Sequence, residues 1–468
     1  MGIRPRLLSA AAVFAIVGGG IMVEDRRRRM VDYFEHQQQV QRLRSFSPPS
    51  PPSPPSSPPL KVVVIGGGIA GLSVAYYLKL LRPTTSVLVV EAESLACLAS
   101  SHNAGTIGLV QEFDLADGGK FKPEWHDVLE LLSTQTYRSL EDCELIESGA
   151  LMVAETAREV DYLVAKHQHL VSKGFTQAQL LSSPQQVRKI EPALSSGVLA
   201  AVHYPGSVHV DPRKASLAVA EAAAKLGVEF LEGDGAVKLV EGRDWTVALS
   251  SGKALVCDVV VVANGLGCNK LLSETLVVPV KGQICQYDNN AVTLNKILFS
   301  ASAHAAFADR LVESTPPQCT MDTSIRHLYG RQTATGDLIL GGSRIPTNKL
   351  DYRPDVGVTR AIASHAQQLL PALSLTTLPN ATWACFMPFS VDGKPFVGRS
   401  EYSPRLFLSL GFGPEGMTHA PGAGLVLAQQ IYGLSPASPS FLPEHAAMLL
   451  VLRELDPNRK RRKIRPVV

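Results

Sequence analysis

Residues 61–92 read KVVVIGGGIAGLSVAYYLKLLRPTTSVLVVEA. Lys61 to Ile65 is a short β-branched run with the composition of a buried parallel strand. It runs directly into Gly66-Gly67-Gly68-Ile69-Ala70-Gly71, then into a helical segment, LSVAYYLKLL, and a second strand, SVLVV, closed by Glu91. This is a βαβ unit with G-x-G-x-x-G at its first turn, the pattern of a dinucleotide site. Gly66 permits the tight turn, Gly68 lets a pyrophosphate approach the backbone, and Gly71 lets helix and strand pack closely. Ile69 and Ala70 open the helix, whose N-terminus offers N–H groups and a positive dipole end to phosphates. Glu91 is placed to accept hydrogen bonds from ribose hydroxyls and to repel a 2′-phosphate, which disfavours NADP. The motif by itself does not separate FAD from NAD.

Around this unit the chain is ordinary in composition and uneven in charge. It has 468 residues, 45% hydrophobic and 19% charged, enough for a sizeable core and incompatible with wholesale disorder. Residues 1–60 carry +4 and residues 456–468 carry +5, so the formal +3 of the whole leaves the body at −6. A mildly acidic body argues against nucleic-acid binding, which needs a basic face. The basic C-terminal run reads either as a site for an anionic partner or as a solvated charge run. Cysteine is odd in number, seven, with no C-x-x-C pair, so neither a disulfide framework nor a zinc site is expected and a reducing compartment is the simplest reading.

The ends of the chain read separately from the body. Leu7 to Val23 is uncharged and is followed by Glu24, Asp25 and four arginines, Arg26 to Arg29. One reading is a single N-terminal membrane anchor that leaves the body on the reducing side; the others are a cleaved mitochondrial presequence and a cleaved secretory signal. Residues 1–46 are therefore an anchor or targeting segment, and 47–59, SPPSPPSPPSSPP, is an extended Pro/Ser linker. At the other end, 436–468 reads as a C-terminal helix and basic tail, the helix lying within 443–455.

Two distant stretches identify the cofactor: WACFMPFSVDGKPFVG at 383–398 and FLSLGFGPEGMTHAPGAGLVLAQQI at 407–431. The second holds a glycine-rich turn, Gly411 to Met417, entering an apolar helix whose N-terminus can face a flavin ring and favour the charge of its reduced form. With the N-terminal fingerprint, and with SSHNAGTI at 100–107, VDPRKASLAVAEAAAKLGVEF at 210–230, DVVVVANGLG at 258–267 and PVKGQ at 279–283, residues 61–435 resemble the D-amino acid oxidase family of flavoenzymes. Glycine oxidase, sarcosine oxidase and D-amino acid dehydrogenase belong to that family. The resemblance implies an α/β architecture, with a doubly wound FAD-binding domain and a second α+β substrate domain built on an antiparallel sheet. The FAD domain is expected from 61–150, 205–275 and 380–435, and the substrate domain from 151–204 and 276–379.

The same resemblance assigns Ser100, Ser101, Val237, Gly265, Gly411, Gly413, Gly416 and Met417 to FAD, and sets Arg331 as the cation that pairs with a substrate carboxylate. A planar guanidinium suits that partner, and an arginine on a surface edge strand is the competing reading. Tyr329 shares the face of the same strand, as a pocket wall or as core. His102 is expected beside the flavin, as an active-site polar group or a packing histidine. Cys385 stands seven residues before Asp392, the spacing at which sarcosine oxidases hold FAD through a thioether, with an ordinary buried thiol as the alternative. Two positions depart from the family's pattern: Met387-Pro388 stands where many members have Arg-Pro, and Lys281 replaces an arginine of the P-x-R-G-Q motif.

The implied activity is oxidation of the C–N bond of a small amino acid or secondary amine, by hydride transfer to flavin N5, to an imine that water hydrolyses. Either O2 or a quinone would reoxidise the flavin. The alternative is an FAD-containing assembly or scaffold factor with little amine oxidation. Action on a modified tRNA base, known in some relatives of this fold, conflicts with the acidic body.

Overall fold

The computed structural model describes residues 59–108, 124–172, 177–288, 292–302, 328–373, 379–434 and 445–459. The apolar segment 7–23, nearly all of the Pro/Ser linker and the basic tail beyond Arg459 lie outside the described residues. Among the described residues no helix is long and apolar enough to cross a membrane.

The run quoted first forms the middle of a six-stranded sheet. Strand β1 (Lys61–Ile65) lies between β2 (Ser86–Val90) and β12 (Val259–Val262), parallel to both, with Val62 to Ile65 in register with Val259 to Val262. Outside them lie β8 (Glu229–Leu231), parallel to β2, and β19 (Leu406–Leu410), parallel to β12; β18 (Phe396–Arg399) is antiparallel at the edge. Both faces of this sheet are covered, which is why its strands are continuous valine runs rather than alternating ones.

One face packs on helices. These are α1 (Ile69–Leu81), α2 (Glu124–Ser139), α5 (Pro212–Lys225), α8 (Gly416–Ile431) and α9 (His445–Glu454). Gly424 of α8 meets Ser73 of α1 so closely that a Cβ there would fall 2.8 Å from the Ser73 backbone. The opposite face is covered by an antiparallel meander, β9 (Ala236–Glu241), β10 (Trp245–Leu249) and β11 (Ala254–Cys257), whose Trp245, Val247 and Leu249 pack against Val63, Ile65, Val260 and Val262. A meander forms there because the segment alternates inward and outward residues and turns at Gly242 and Gly252, leaving no length for a helix.

The second sheet has eight strands in the order β17, β13, β16, β15, β14, β4, β6, β5. They are β4 (Ala150–Ala154), β5 (Gln179–Leu181), β6 (Ala200–Tyr204), β13 (Val277–Tyr287), β14 (Ile297–Ser300), β15 (Tyr329–Gln332), β16 (Leu338–Pro346) and β17 (Ala381–Ser390). The sheet is antiparallel, as expected, except between β4 and β14, which run parallel. The helix α7 (Val356–Leu369) and the short α4 (Pro184–Ile190) pack on one face. The other face takes α3 (Ala157–Ser172) at its β4–β6 end. A short helix, α6 (Cys268–Leu272), follows β12, and a two-residue pair, β3 (Thr106–Ile107) with β7 (Val208–His209), completes the strands.

Two sequence expectations change here. Residues 381–390, placed with the FAD domain, are a strand of the second sheet, because β17 pairs with β13 from Val277↔Ser390 to Gln286↔Ala381. Arg459, counted with the basic tail, is not a solvated charge. It makes a fork on Asp392, at 2.7 and 2.8 Å, donates to the Lys394, Pro395 and Asp456 carbonyls, and lies 4.5 Å above the Phe396 ring.

Candidate active site

The carboxyl ends of four parallel strands open into one cavity of about 380 Å³, the position at which doubly wound sheets bind ligands. Gly66 and Gly68 follow β1, Glu91 follows β2, Ala263 to Gly267 follow β12, and Gly411 to Gly413 follow β19; all line it. Gly66 has φ +109°, and a Cβ there would fall 2.6 Å from the Ala263 carbonyl oxygen, so only glycine fits. Gly71 does not line the cavity; a Cβ on it would penetrate the Gly66 carbonyl oxygen, so its role is the close packing of helix on strand.

The nucleotide end fits FAD on its own chemistry. The first turn of α1 has no acidic residue and no side-chain cap, and Ile69 and Ala70 of that turn line the cavity, so the helix dipole faces it uncompensated. Ser100 supports this turn by accepting the Ile69 N–H at 2.9 Å. Glu91 accepts the Gly67 N–H at 2.7 Å and the Glu93 N–H at 2.9 Å. The Cys97 thiol also lies 4.0 Å from Glu91 Oε1, and of a carboxylate's about four acceptor positions the remainder is available to a ribose.

At the far end the Gly413–Gly416 turn enters α8, whose first turn again carries no acid. Glu415, the acid of this turn, is engaged elsewhere: its carboxylate lies 3.4 Å from His126 Nδ1 and 3.2 Å from His419 Nδ1. Both histidines are buried, and Trp125 stacks on His126 with ring centroids 3.4 Å apart. Holding that charge away keeps the helix N-terminus open toward the cavity, which Gly416 and Met417 line. Tyr137 fixes the turn further by donating to the Met417 carbonyl at 2.9 Å.

The second sheet supplies the remaining wall through Phe299, Tyr329, Ile284, Cys385 and Met387. Phe299, Tyr329, Gly341 and Ile284 stand in one row across four strands. The Tyr329 ring covers Gly341, whose missing side chain leaves it the space.

His102 lines the cavity and is exposed. Its Nδ1 lies 2.9 Å from the Leu98 carbonyl oxygen and 3.0 Å from the Ser101 hydroxyl. Ser101 is not in the wall; its hydroxyl turns to the Leu98 carbonyl and the His102 ring. Val237 is 51% exposed and outside the cavity, because strand alternation turns inward its neighbour Ala236, which with Gly235 lines the wall. Gly265, Gly411 and Gly413 line the cavity, all at positive φ.

Arg331 departs from its expected role. It is buried, its Nε donates to the Ala104 carbonyl and its Nη1 lies 3.5 Å from His209 Nδ1; the cavity is lined by Ala104 and not by Arg331. Burial lowers its pKa to about 10, and burial with the neighbouring guanidinium lowers that of His209 to about 3. The pair braces the 102–106 loop from the second sheet.

Cys385 lines the cavity as a free thiol that burial pushes up to about 12. A thiol, not a thiolate, is a poor nucleophile, so the cofactor is expected to be held without a covalent bond. Denaturing the yellow protein should release all of its FAD into the supernatant; flavin absorbance that stays with the precipitate would show the opposite. Residues that the sequence reading missed include Asn264, Gly282, Ser343, Arg344, Tyr352 and Phe386. Asn264 stood in the quoted 258–267 stretch, whereas Arg344 and Tyr352 had no local signal.

A family model described as FAD dependent oxidoreductase, DAO, matches residues 61–430. Glycine oxidase of Bacillus licheniformis is 24% identical over 385 residues, spanning 79% of this chain and 92% of that enzyme. Sarcosine oxidase subunit beta of Arthrobacter sp is 23% identical over 380 residues, spanning 79% and 86%. The crystal structure of glycine oxidase from Bacillus cereus ATCC 14579 superposes with a TM-score of 0.66 at 25% identity, covering 80% of this chain and 95% of that one.

Proposed function

Because the chain belongs to the DAO family of FAD-dependent oxidoreductases, we propose that it oxidises the carbon–nitrogen bond of a small amino acid or secondary amine. The reading is carried by one observation: a single cavity joins the dinucleotide end, at Gly66, Gly68, Ile69, Ala70 and Glu91, to a wall of the second sheet bearing Tyr329 and Met387. Relatives named glycine oxidase and sarcosine oxidase support the substrate class.

When bound, FAD supplies the two-electron acceptor that no side chain can be. The chain supplies position and proton handling. Phe299, Tyr329 and Met387 give a substrate a largely apolar wall, and the α8 N-terminus favours negative charge on the cofactor side. His102, an exposed imidazole in the cavity wall, is our candidate for the group that takes a proton from the substrate ammonium. Loss of that proton and of a hydride from the adjacent carbon would leave a protonated imine, which water hydrolyses to a carbonyl compound and an ammonium ion, the two electrons going to the acceptor that bound FAD would supply.

The test is anaerobic mixing of the purified full-length protein with D-amino acids, glycine, sarcosine and proline in turn. Bleaching of the visible flavin band by at least one member is the expected result, and recovery in air separates an oxidase from a dehydrogenase. A flavin that stays oxidised throughout would favour the scaffold role instead.

A further inference from the structure

We propose that His126, Glu415 and His419 form a metal site beside the cofactor cavity, and that it takes one divalent cation of the zinc type. None of the three lines that cavity, and the inference does not depend on amine oxidation. One ring nitrogen from each histidine and one carboxylate oxygen lie within 4.8 Å of one another. Glu415 Oε2 is 3.2 Å from His419 Nδ1 and 3.4 Å from His126 Nδ1. Ligands about 2.0–2.1 Å from zinc at tetrahedral angles stand about 3.3 Å apart, so the carboxylate already keeps ligand spacing to both rings.

Close helix packing, rather than a sequence motif, builds the site. Glu415 and His419 are four residues apart at the start of α8, which sets them on one face. His126 comes from α2. The two helices meet at Gly422, where a Cβ would fall 2.6 Å from the Leu129 carbonyl oxygen and whose N–H donates to Ser133 Oγ at 2.9 Å. Gly422 and Leu129 stand nearly one turn after His419 and His126, so this contact carries the two rings together, edge to face, with centroids 4.8 Å apart. The side chains are 6%, 14% and 0% exposed in chain order, so a bound ion has little side-chain motion left to arrest.

The donor set selects the ion. Imidazole with carboxylate suits zinc, whereas magnesium and calcium seek six or more oxygens. Three protein ligands leave a fourth position, which zinc fills with water. Glu415 also lines a second cavity of about 20 Å³, enough for one water. Ser207 lines it too, 1% exposed, and its hydroxyl has no hydrogen-bond partner among the described residues. A water on the ion would give that hydroxyl its partner. The positive end of α8 opposes a cation, and the Glu415 carboxylate, at the cap of that helix, offsets it. The cysteine spacing that argued against a zinc site does not bear on donors without sulfur.

The experiment strips full-length protein with EDTA, titrates it with Zn2+ and counts the metal that stays bound through gel filtration. Wild type is expected to keep one zinc per chain and to unfold at a higher temperature as zinc is raised. His126→Gln and His419→Gln should each weaken zinc by more than the roughly 10–100-fold that losing a residue behind a metal ligand costs. Retained flavin absorbance reports the folding of each variant. Co2+ in place of zinc needs no variant: it should give visible bands of tetrahedral intensity at wavelengths longer than those of the flavin. Wild type that elutes without zinc, cobalt that gives no such bands, or zinc affinity that both histidine variants keep overturns the proposal, whether or not any amine bleaches the flavin.

Discussion

Alanine at Gly71 is expected to give a protein that purifies without its yellow colour. The new methyl group would overlap the Gly66 carbonyl oxygen, which is backbone and has no flexible end to swing aside. Either α1 moves away from β1 or the glycine turn opens, and both displace the N–H groups of Ile69 and Ala70 from the cavity wall. Overpacking of this kind costs about 1–3 kcal/mol, and concentrated at the phosphate cradle it should weaken FAD by on the order of 100-fold. The ratio of flavin to protein absorbance after dialysis measures it. Wild-type flavin content in Gly71→Ala would mean that the cradle does not depend on this contact.

Arg459→Ala is expected to have the largest effect on stability outside the cavity. Asp392 and Arg459 side chains are 7% and 14% exposed, and the guanidinium ties the turn after β17 to the end of the chain. Removing one partner of a buried pair leaves the other uncompensated, at about 3 kcal/mol or more. Arg459→Lys should recover only part, since an ammonium cannot reproduce the fork on Asp392 while holding three carbonyls. Asp392→Asn should cost less than Arg459→Ala, because the carbonyl contacts survive. Thermal unfolding of the three variants gives the order, and equal midpoints for Arg459→Ala and wild type would remove the clip from the account.

The parts of the fold written in local pattern were legible. Strand, glycines, helix, strand and acid in a single stretch leave little choice, and Gly66, Gly68 and Glu91 stand at the cavity as that pattern requires. What failed depended on information no short stretch holds. Val237 was one residue from the wall, and strand phase decides which of two neighbours points inward. Residues 381–390 pair with a strand about a hundred residues earlier, so their sheet could not be read from their own sequence. Arg331 and Arg344 are both arginines on adjacent strands, and a bulge set by one positive φ at Ser343 accompanies the placement of only the second in the cavity.

The strand order of the first sheet also bears on how the protein comes to exist. Val260 to Val262 pair with Leu406 to Leu408, and β1 waits on β12 for its own neighbour. At roughly 5–20 residues per second, β1 leaves the ribosome on the order of 20–70 s before β19. For that interval the nascent chain displays valine-rich strands with open edges, a hazard for aggregation. A holding chaperone suits such a chain, and the glycine turn after β19 cannot meet a cofactor until β19 itself has been made. Loading with FAD accordingly waits for β19, and limited flavin supply is expected to show first as insoluble newly made protein rather than as a soluble apoenzyme.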